Sequence, residues 1–230
     1  MPVVHKPNFS VAYSRANEIL ATSTVISSFP YSPFDLVKEQ MGIPCRSFQM
    51  ALSKYGLDVR ALGSESAVVT ELGGRYIIFY DKEKPEGHIK FSILHELGHP
   101  VNGHDLSTND SVLYQKYEVE TNYFAAQLLM PEQLIREMQK RGKAITVSFL
   151  SSVFGVSPTA AQKRIDTLAK TNAEWRNRQE KEFDDIILFR HKAFLDAVCP
   201  PRTFYDYEDE YEEYEEVEEE NYEDDNLDMF

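Results

Sequence analysis

The stretch SAVVTELGGRYIIFYDKEKPEGHIKFSILHELGHPV, residues 66–101, joins two different sequence patterns. Its first half contains two runs of β-branched and aromatic residues separated by Gly73 and Gly74, the composition of a tight hairpin turn. After the turn-rich segment KEKPEG, apolar residues recur at helical spacing from His88 to Val101. We therefore predict a β-hairpin followed by an α-helix.

Helical patterns dominate the sequence on both sides of residues 66–101. In the clearest of them, Ser32 can cap a helix, Pro33 fits its first position and Gly42 can end it. Residues 43–61 are ambiguous between a short helix and extended chain. We predict an α+β fold that is mostly helical and has a small antiparallel sheet. The other segments with helical spacing are residues 10–26, 112–130, 131–140, 146–170 and 173–198.

The net charge of −14 is concentrated near the C-terminus. Fifteen of the 38 Asp and Glu residues lie in residues 206–228, which contain no Lys or Arg, so residues 1–205 carry 24 basic and 23 acidic residues. Such like charges predict a disordered acidic tail over residues 203–230, after a first domain at 1–140 and a helical extension at 141–202. Alternatively, the tail could form an anionic helix that docks on a basic surface of this protein or of a partner through Tyr207, Tyr211, Tyr214 and Val217.

The bulk composition is typical of a soluble globular protein, with 42% hydrophobic and 27% charged residues. No apolar run approaches the ~18 residues that a membrane span needs, and the N-terminus lacks the layout of a signal peptide. We therefore expect a cytoplasmic protein that does not bind membranes. Cys45 and Cys199 are far apart and form no CxxC motif, so we expect reduced structural thiols rather than a cysteine metal site.

The segment HELGH places two histidines four residues apart on the predicted helix. Residues at i and i+4 point to nearly the same side of a helix, so His95 and His99 can offer ring nitrogens to one cation. Glu96 points about 100° away, which suits a base that accepts a proton from water at the metal. The alternative is an apolar helix whose two histidines are merely packed or exposed.

A catalytic zinc site needs a third protein ligand, and the segment YEVETNYFAAQLLMP, residues 117–131, supplies a candidate in Glu118. The alternative is that Glu118 is a solvated surface carboxylate. Asn122 lies one turn later on the same face, where its amide can support a ligand histidine. Glu120 should point elsewhere. His104 could steady an oxyanion or Glu118, but we expect a partly exposed histidine at the helix end. Histidine and carboxylate ligands would also admit manganese or iron.

The combination of HELGH with the later E-x-E-x-N-x-F-A-A-x-L-L-M-P segment resembles the ImmA/IrrE family of metallo-endopeptidases. The resemblance covers about residues 12–170. It implies a zincin-like domain with one Zn²⁺ per chain, bound by His95, His99 and Glu118, and Glu96 as general acid and base. It also implies a substrate, a helix-turn-helix transcriptional repressor of a mobile element or stress regulon. Thr121 departs from the alanine that is common in the family.

The predicted hairpin could also hold the substrate. If one of its strands is a free edge beside the motif helix, an extended peptide could pair with it and present its scissile carbonyl at the metal. The strand Tyr76, Ile77, Ile78 and Phe79 is the segment that we consider for this role. The alternative is that the hairpin only braces the helix.

Two other functions compete with the protease interpretation. A zinc-stabilised anti-repressor could bind the repressor without cutting it. A DNA-binding regulator could use the helix-turn-helix pattern of residues 146–170, with Gln162, Lys163, Arg164 and Lys170 near DNA. The absence of a strong basic field argues against direct nucleic-acid binding, and an intact Glu96 favours an enzyme.

Overall fold

The computed structural model describes residues 6–61, 65–171 and 178–201. Within these residues the chain forms ten helices and three short strands, which confirms the mostly helical α+β prediction. The elements, in chain order, are α1 Phe9–Thr22, α2 Pro33–Met41, β1 Cys45–Ser47, α3 Phe48–Tyr55, β2 Ala67–Leu72, β3 Arg75–Tyr80, α4 Glu86–Asn102, α5 Ser111–Leu129, α6 Glu132–Lys140, α7 Val147–Phe154, α8 Pro158–Leu168, α9 Arg178–Arg190 and α10 Lys192–Val198.

The sheet has the order β1-β3-β2. The predicted hairpin is present as the antiparallel pair β2 and β3, and both Gly73 and Gly74 take positive φ in its turn. The third strand, β1, pairs parallel to β3 with Cys45 opposite Ile78, so the sheet is mixed rather than purely antiparallel. Three residues are too few to give a periodic signal, which is why residues 43–61 were ambiguous.

The motif helix α4 lies at the centre of the fold. It packs on α5 across one face and on β2, β3, α1 and α2 across others. Its side chains Ile93, Leu94 and Leu97 are fully buried in the main core, together with Phe124 and Leu128 from α5. Because α4 is anchored on several sides, the polar residues on its remaining face have fixed positions.

The C-terminal helices share that core. Leu150 and Phe154 of α7 and Ile187 of α9 belong to the same buried cluster as residues from α1 and α4. The domain boundary at 140/141 therefore lies between segments with a common core and stays a prediction. The predicted acidic tail, with its tyrosine stripe, and Trp175 lie outside the described residues.

A single helix is predicted over residues 173–198, of which the structure describes residues 178–198. This part forms two helices, α9 and α10, which meet at His191. Ile187 is buried in the core, whereas its neighbour Ile186 is 44% exposed. The His191 ring is buried and lies 5.2 Å from the Phe29 ring, measured between centroids. The C-terminal helices are thus packed onto the segment that precedes α2.

The burial of His191 should make the folded state sensitive to acid. Burial, assisted by the charge of Arg190, lowers the pKa of His191 to about 4. Since the unfolded chain binds this proton with a pKa near 6.5, His191 supports stability above that pH, and the support is lost as pH falls from about 6.5 towards 4. Between pH 7 and pH 5, the free energy of urea unfolding should fall by about 2 kcal/mol more in the wild type than in His191→Phe.

A matched control for this prediction is His88→Phe. His88 is exposed, so its replacement should leave the acid sensitivity of the wild type unchanged. Equal pH slopes for the wild type and His191→Phe would contradict the assignment of this sensitivity to His191.

Candidate metal centre

Three predicted ligand residues converge on one point. His95 Nε2 lies 3.2 Å from one carboxylate oxygen of Glu118, and His99 Nε2 lies 3.4 Å from the other. One potential ligand atom from each residue falls within 4.8 Å of the other two. The histidines lie one turn apart on α4 and Glu118 lies on α5, so the contact between these two helices creates the cluster.

A glycine allows that contact. A Cβ atom at Gly98 would lie 3.0 Å from Thr121 Cγ2 and 3.0 Å from Phe124 Cδ1, closer than packed carbon atoms normally approach. Because Gly98 has no side chain, α5 can lie directly against α4 at this position. Thr121 fits beneath it, and its Oγ1 lies 3.2 Å from His95 Nε2 and within hydrogen-bond distance of the Tyr117 carbonyl.

Both histidines are oriented through their Nδ1 atoms. Asn122 Oδ1 lies 3.2 Å from His95 Nδ1, and His104 Nδ1 lies 3.3 Å from His99 Nδ1. The two Nε2 atoms are therefore the ones that face Glu118. Partners on the second ring nitrogen are the usual means by which proteins fix the tautomer of a ligand histidine.

The buried carboxylate of Glu96 lies between this cluster and the sheet. Its Oε2 accepts a 2.7 Å hydrogen bond from the backbone N–H of Val69 on β2. Burial raises the pKa of Glu96, although His95, His99 and the Val69 hydrogen bond act in the opposite direction. A raised pKa makes a carboxyl group a stronger proton acceptor, which suits a general base that later returns the proton.

The cluster lies in an open pocket of about 530 Å³. Strand β2 forms one wall and residues from α4 and α5 form the others; the lining includes Val68, Val69, Phe91, His95, Glu96, His99, Tyr114, Tyr117 and Glu118. The phenol of Tyr114 hydrogen-bonds Glu118, and burial together with that negative charge raises the pKa of Tyr114 to about 12. Neither Tyr114 nor Val69 belongs to a motif that would single it out in the sequence.

The prediction for His104 is wrong, whereas Glu120 points away from the metal cluster, as predicted. His104 is buried rather than partly exposed, and its ring stacks on Tyr117 with 4.0 Å between the centroids. It contacts His99 and Glu120, not Glu118. Glu120 points to the site's periphery as a buried carboxylate, 2.8 Å from His104 Nε2. Burial lowers the pKa of His104 to about 4.

The strand predicted to bind the substrate, residues 76–79, is not an edge strand. Residues Tyr76, Ile77, Ile78 and Phe79 belong to β3, the middle strand, which pairs with β2 on one side and with β1 on the other. The outer strand next to the pocket is β2, as the contact from Val69 to Glu96 demonstrates. A sequence pattern gives the strands but not their order in a sheet, which depends on long-range pairing.

The helix-turn-helix pattern of α7 and α8 is present, with Gly155 in the left-handed conformation and Ser157 as the N-cap of α8. Its arginine faces the protein interior. Arg164 is 1% exposed, its Nε donates a 2.9 Å hydrogen bond to the Met130 carbonyl, and its Nη2 donates to Gln127 Oε1. Arg164 therefore cannot contact DNA in this conformation, although Lys163 is exposed.

The donor set of the cluster fits zinc. Two imidazole nitrogens and one carboxylate are the ligands of many catalytic zinc sites, which keep a fourth position open. His95, His99 and Glu118 all line the pocket, so a fourth position could receive water or substrate from it.

Comparison with known families agrees with these observations. The model of the Peptidase_M78 family, described as IrrE N-terminal-like domain, matches residues 48–166, which is more than half of the chain and includes the whole cluster. The search against curated proteins produced no match. Among the described residues, none of the helices is long and apolar enough to cross a membrane.

Proposed function

The chain belongs to the IrrE N-terminal-like family of peptidases, and we propose that it is a zinc-dependent endopeptidase with one zinc ion per chain. One observation carries the proposal: the Nε2 atoms of His95 and His99 meet the Glu118 carboxylate in an open pocket, with the buried carboxyl group of Glu96 beside them. A purely structural zinc site needs neither an open position nor a neighbouring base.

Five residues of the candidate site have proposed roles. His95, His99 and Glu118 would hold the zinc, which when bound would acidify a water molecule and polarise the substrate carbonyl. Glu96 accepts a proton from the attacking water molecule and later delivers it to the leaving amine. Because the Val69 N–H binds Glu96 Oε2, Oε1 is the oxygen that can exchange this proton. Asn122 keeps the His95 ring in the orientation that directs Nε2 at Glu118.

Strand β2 is the proposed binding edge for the substrate. It is one of the two outer strands of the described sheet and forms a wall of the pocket. An extended peptide that pairs with such an edge gains main-chain hydrogen bonds and is held in one register. This arrangement would place one peptide bond next to Glu96, whose carboxylate is itself bonded to β2.

We propose a helix-turn-helix transcriptional repressor in the cytoplasm as the protein substrate, so that cleavage relieves repression of a mobile-element or stress regulon. The support for this substrate class is the family resemblance. An anti-repressor that binds without cutting is the principal alternative. The burial of Arg164 argues against the third function, a DNA-binding regulator.

The test uses the full chain with a co-encoded helix-turn-helix repressor. We expect one zinc per chain by metal analysis and discrete repressor fragments by mass spectrometry. Chelation should abolish cleavage, and added zinc should restore it. If the zinc-loaded protein binds the repressor or relieves repression while the repressor stays intact, the protein is an anti-repressor. Retarded migration of operator DNA with this protein alone would instead support the DNA-binding function.

A further inference from the structure

Three buried polar side chains form a chain that ends at His99. Glu120 Oε2 lies 2.8 Å from His104 Nε2, and His104 Nδ1 lies 3.3 Å from His99 Nδ1. His104 and Glu120 do not line the pocket, so they contact neither solvent there nor a substrate. They reach the candidate metal centre only through His99.

The atoms in this chain determine where its protons lie. If His99 Nε2 presents a lone pair beside Glu118, then Nδ1 of the neutral ring carries the hydrogen. His99 Nδ1–H then donates to His104 Nδ1, and His104 must carry its own hydrogen on Nε2. That Nε2–H donates to the Glu120 carboxylate, which can only accept. Reversing the first bond would place the hydrogen on the wrong nitrogen of His99.

Further contacts immobilise both His104 and Glu120. The His104 ring stacks on Tyr117 with an interplanar angle of 11°, which opposes its rotation. Glu120 Oε1 accepts the backbone N–H of Asn8, at the start of α1, and lies 3.6 Å from Lys116 Nζ. Glu120 is only 4% exposed, and a carboxylate in such surroundings makes strong charge-assisted bonds.

The two candidate ligand histidines are thus supported unequally. His95 meets a neutral amide oxygen from Asn122, whereas His99 is backed by a buried carboxylate through a second imidazole. Hydrogen bonds of this kind fix the ring and make its free nitrogen a stronger donor to a metal.

We propose that His104 and Glu120 are positioning residues that lock His99 in the tautomer with a free Nε2 and thereby strengthen zinc binding. The inference rests on the proposed function, because it requires a metal at His95, His99 and Glu118. It assigns a role in the zinc site to two residues that do not contact the substrate.

The experiment measures zinc affinity of the full chain by competition with a chromophoric chelator. Glu120→Gln and His104→Phe should each weaken binding by about 10- to 100-fold, the usual effect of removing such partners. His104→Phe keeps an aromatic ring against Tyr117 but cannot accept the hydrogen bond from His99 Nδ1–H. Because the two residues act through one chain, the double variant should bind zinc about as weakly as either single variant.

Glu118→Gln, two residues from Glu120, is the matched comparison because it removes a proposed ligand. If Glu118→Gln loses zinc while Glu120→Gln and His104→Phe bind as tightly as the wild type, the positioning role is wrong and the metal site stands. If the wild type itself binds no zinc, the proposed function and this inference fail together. Should Glu120→Gln not fold, His104→Phe alone decides.

Glu120 also anchors the start of α1, so a purely structural role must be separated from positioning. Urea unfolding of the zinc-free variants measures the structural part. The absorption spectrum of the cobalt-substituted protein reports the ligand geometry. A structural role alone would lower stability without changing zinc affinity or the cobalt spectrum, and that result would overturn the proposal.

Discussion

Glu96→Gln should lower kcat for peptide cleavage by about 10²- to 10⁴-fold, the range that one general acid–base group contributes, and should leave zinc bound. Zinc content should not change because Glu96 is outside the cluster of His95, His99 and Glu118. Initial rates on the repressor and metal analysis of the same preparation would measure both quantities.

The amide is the informative replacement because it keeps the shape of the side chain. A glutamine oxygen can still accept the Val69 N–H, so the contact between α4 and β2 survives. What the amide cannot do is take up and return a proton at neutral pH. The loss should therefore appear in kcat, with KM little changed, because Glu96 is not needed for β2 to pair with a peptide.

Glu83→Gln provides the control, since Glu83 is an exposed carboxylate outside the pocket and its replacement should retain wild-type rates. Cleavage by Glu96→Gln at the wild-type rate would show that another group carries the proton. Loss of zinc from Glu96→Gln would place Glu96 among the ligands. Either result contradicts the role proposed for Glu96.

Local geometry explains which parts of the site could be predicted from sequence. His95, Glu96 and His99 occupy one helical segment, and helix geometry alone sets their relative directions. The hairpin likewise follows from two β-rich runs around adjacent glycines. Glu118 required one more step, the contact of α4 with α5, which the small residue Gly98 makes close enough.

The missed features all depend on contacts that distant segments make. His104 follows the end of α4 at Gly103, and its burial depends on where α5 places Tyr117 and Glu120. The edge position of β2 depends on β1, a strand of only three residues. Helical periodicity cannot indicate that a charged side chain will be buried against the end of another helix, as happens at Arg164.

Arg164→Ala should reduce the free energy of unfolding by about 3 kcal/mol, as expected when a fully buried guanidinium is removed and one of its acceptors loses its donor. The Met130 carbonyl at the end of α5 would lose its bond from Arg164 Nε, and Gln127 Oε1 would lose the bond from Nη2. Urea denaturation of the two proteins measures the difference.

The neighbouring residue gives a matched control that also separates two functions. Lys163 is exposed, so Lys163→Ala should change the free energy of unfolding by no more than about 0.5 kcal/mol. A DNA-reading α8 requires the opposite behaviour from Arg164→Ala, an unchanged stability with weakened retention of operator DNA. Arg164 joins α8 to the end of α5, the helix that carries Glu118. We therefore expect the loss of Arg164 to destabilise the peptidase fold itself.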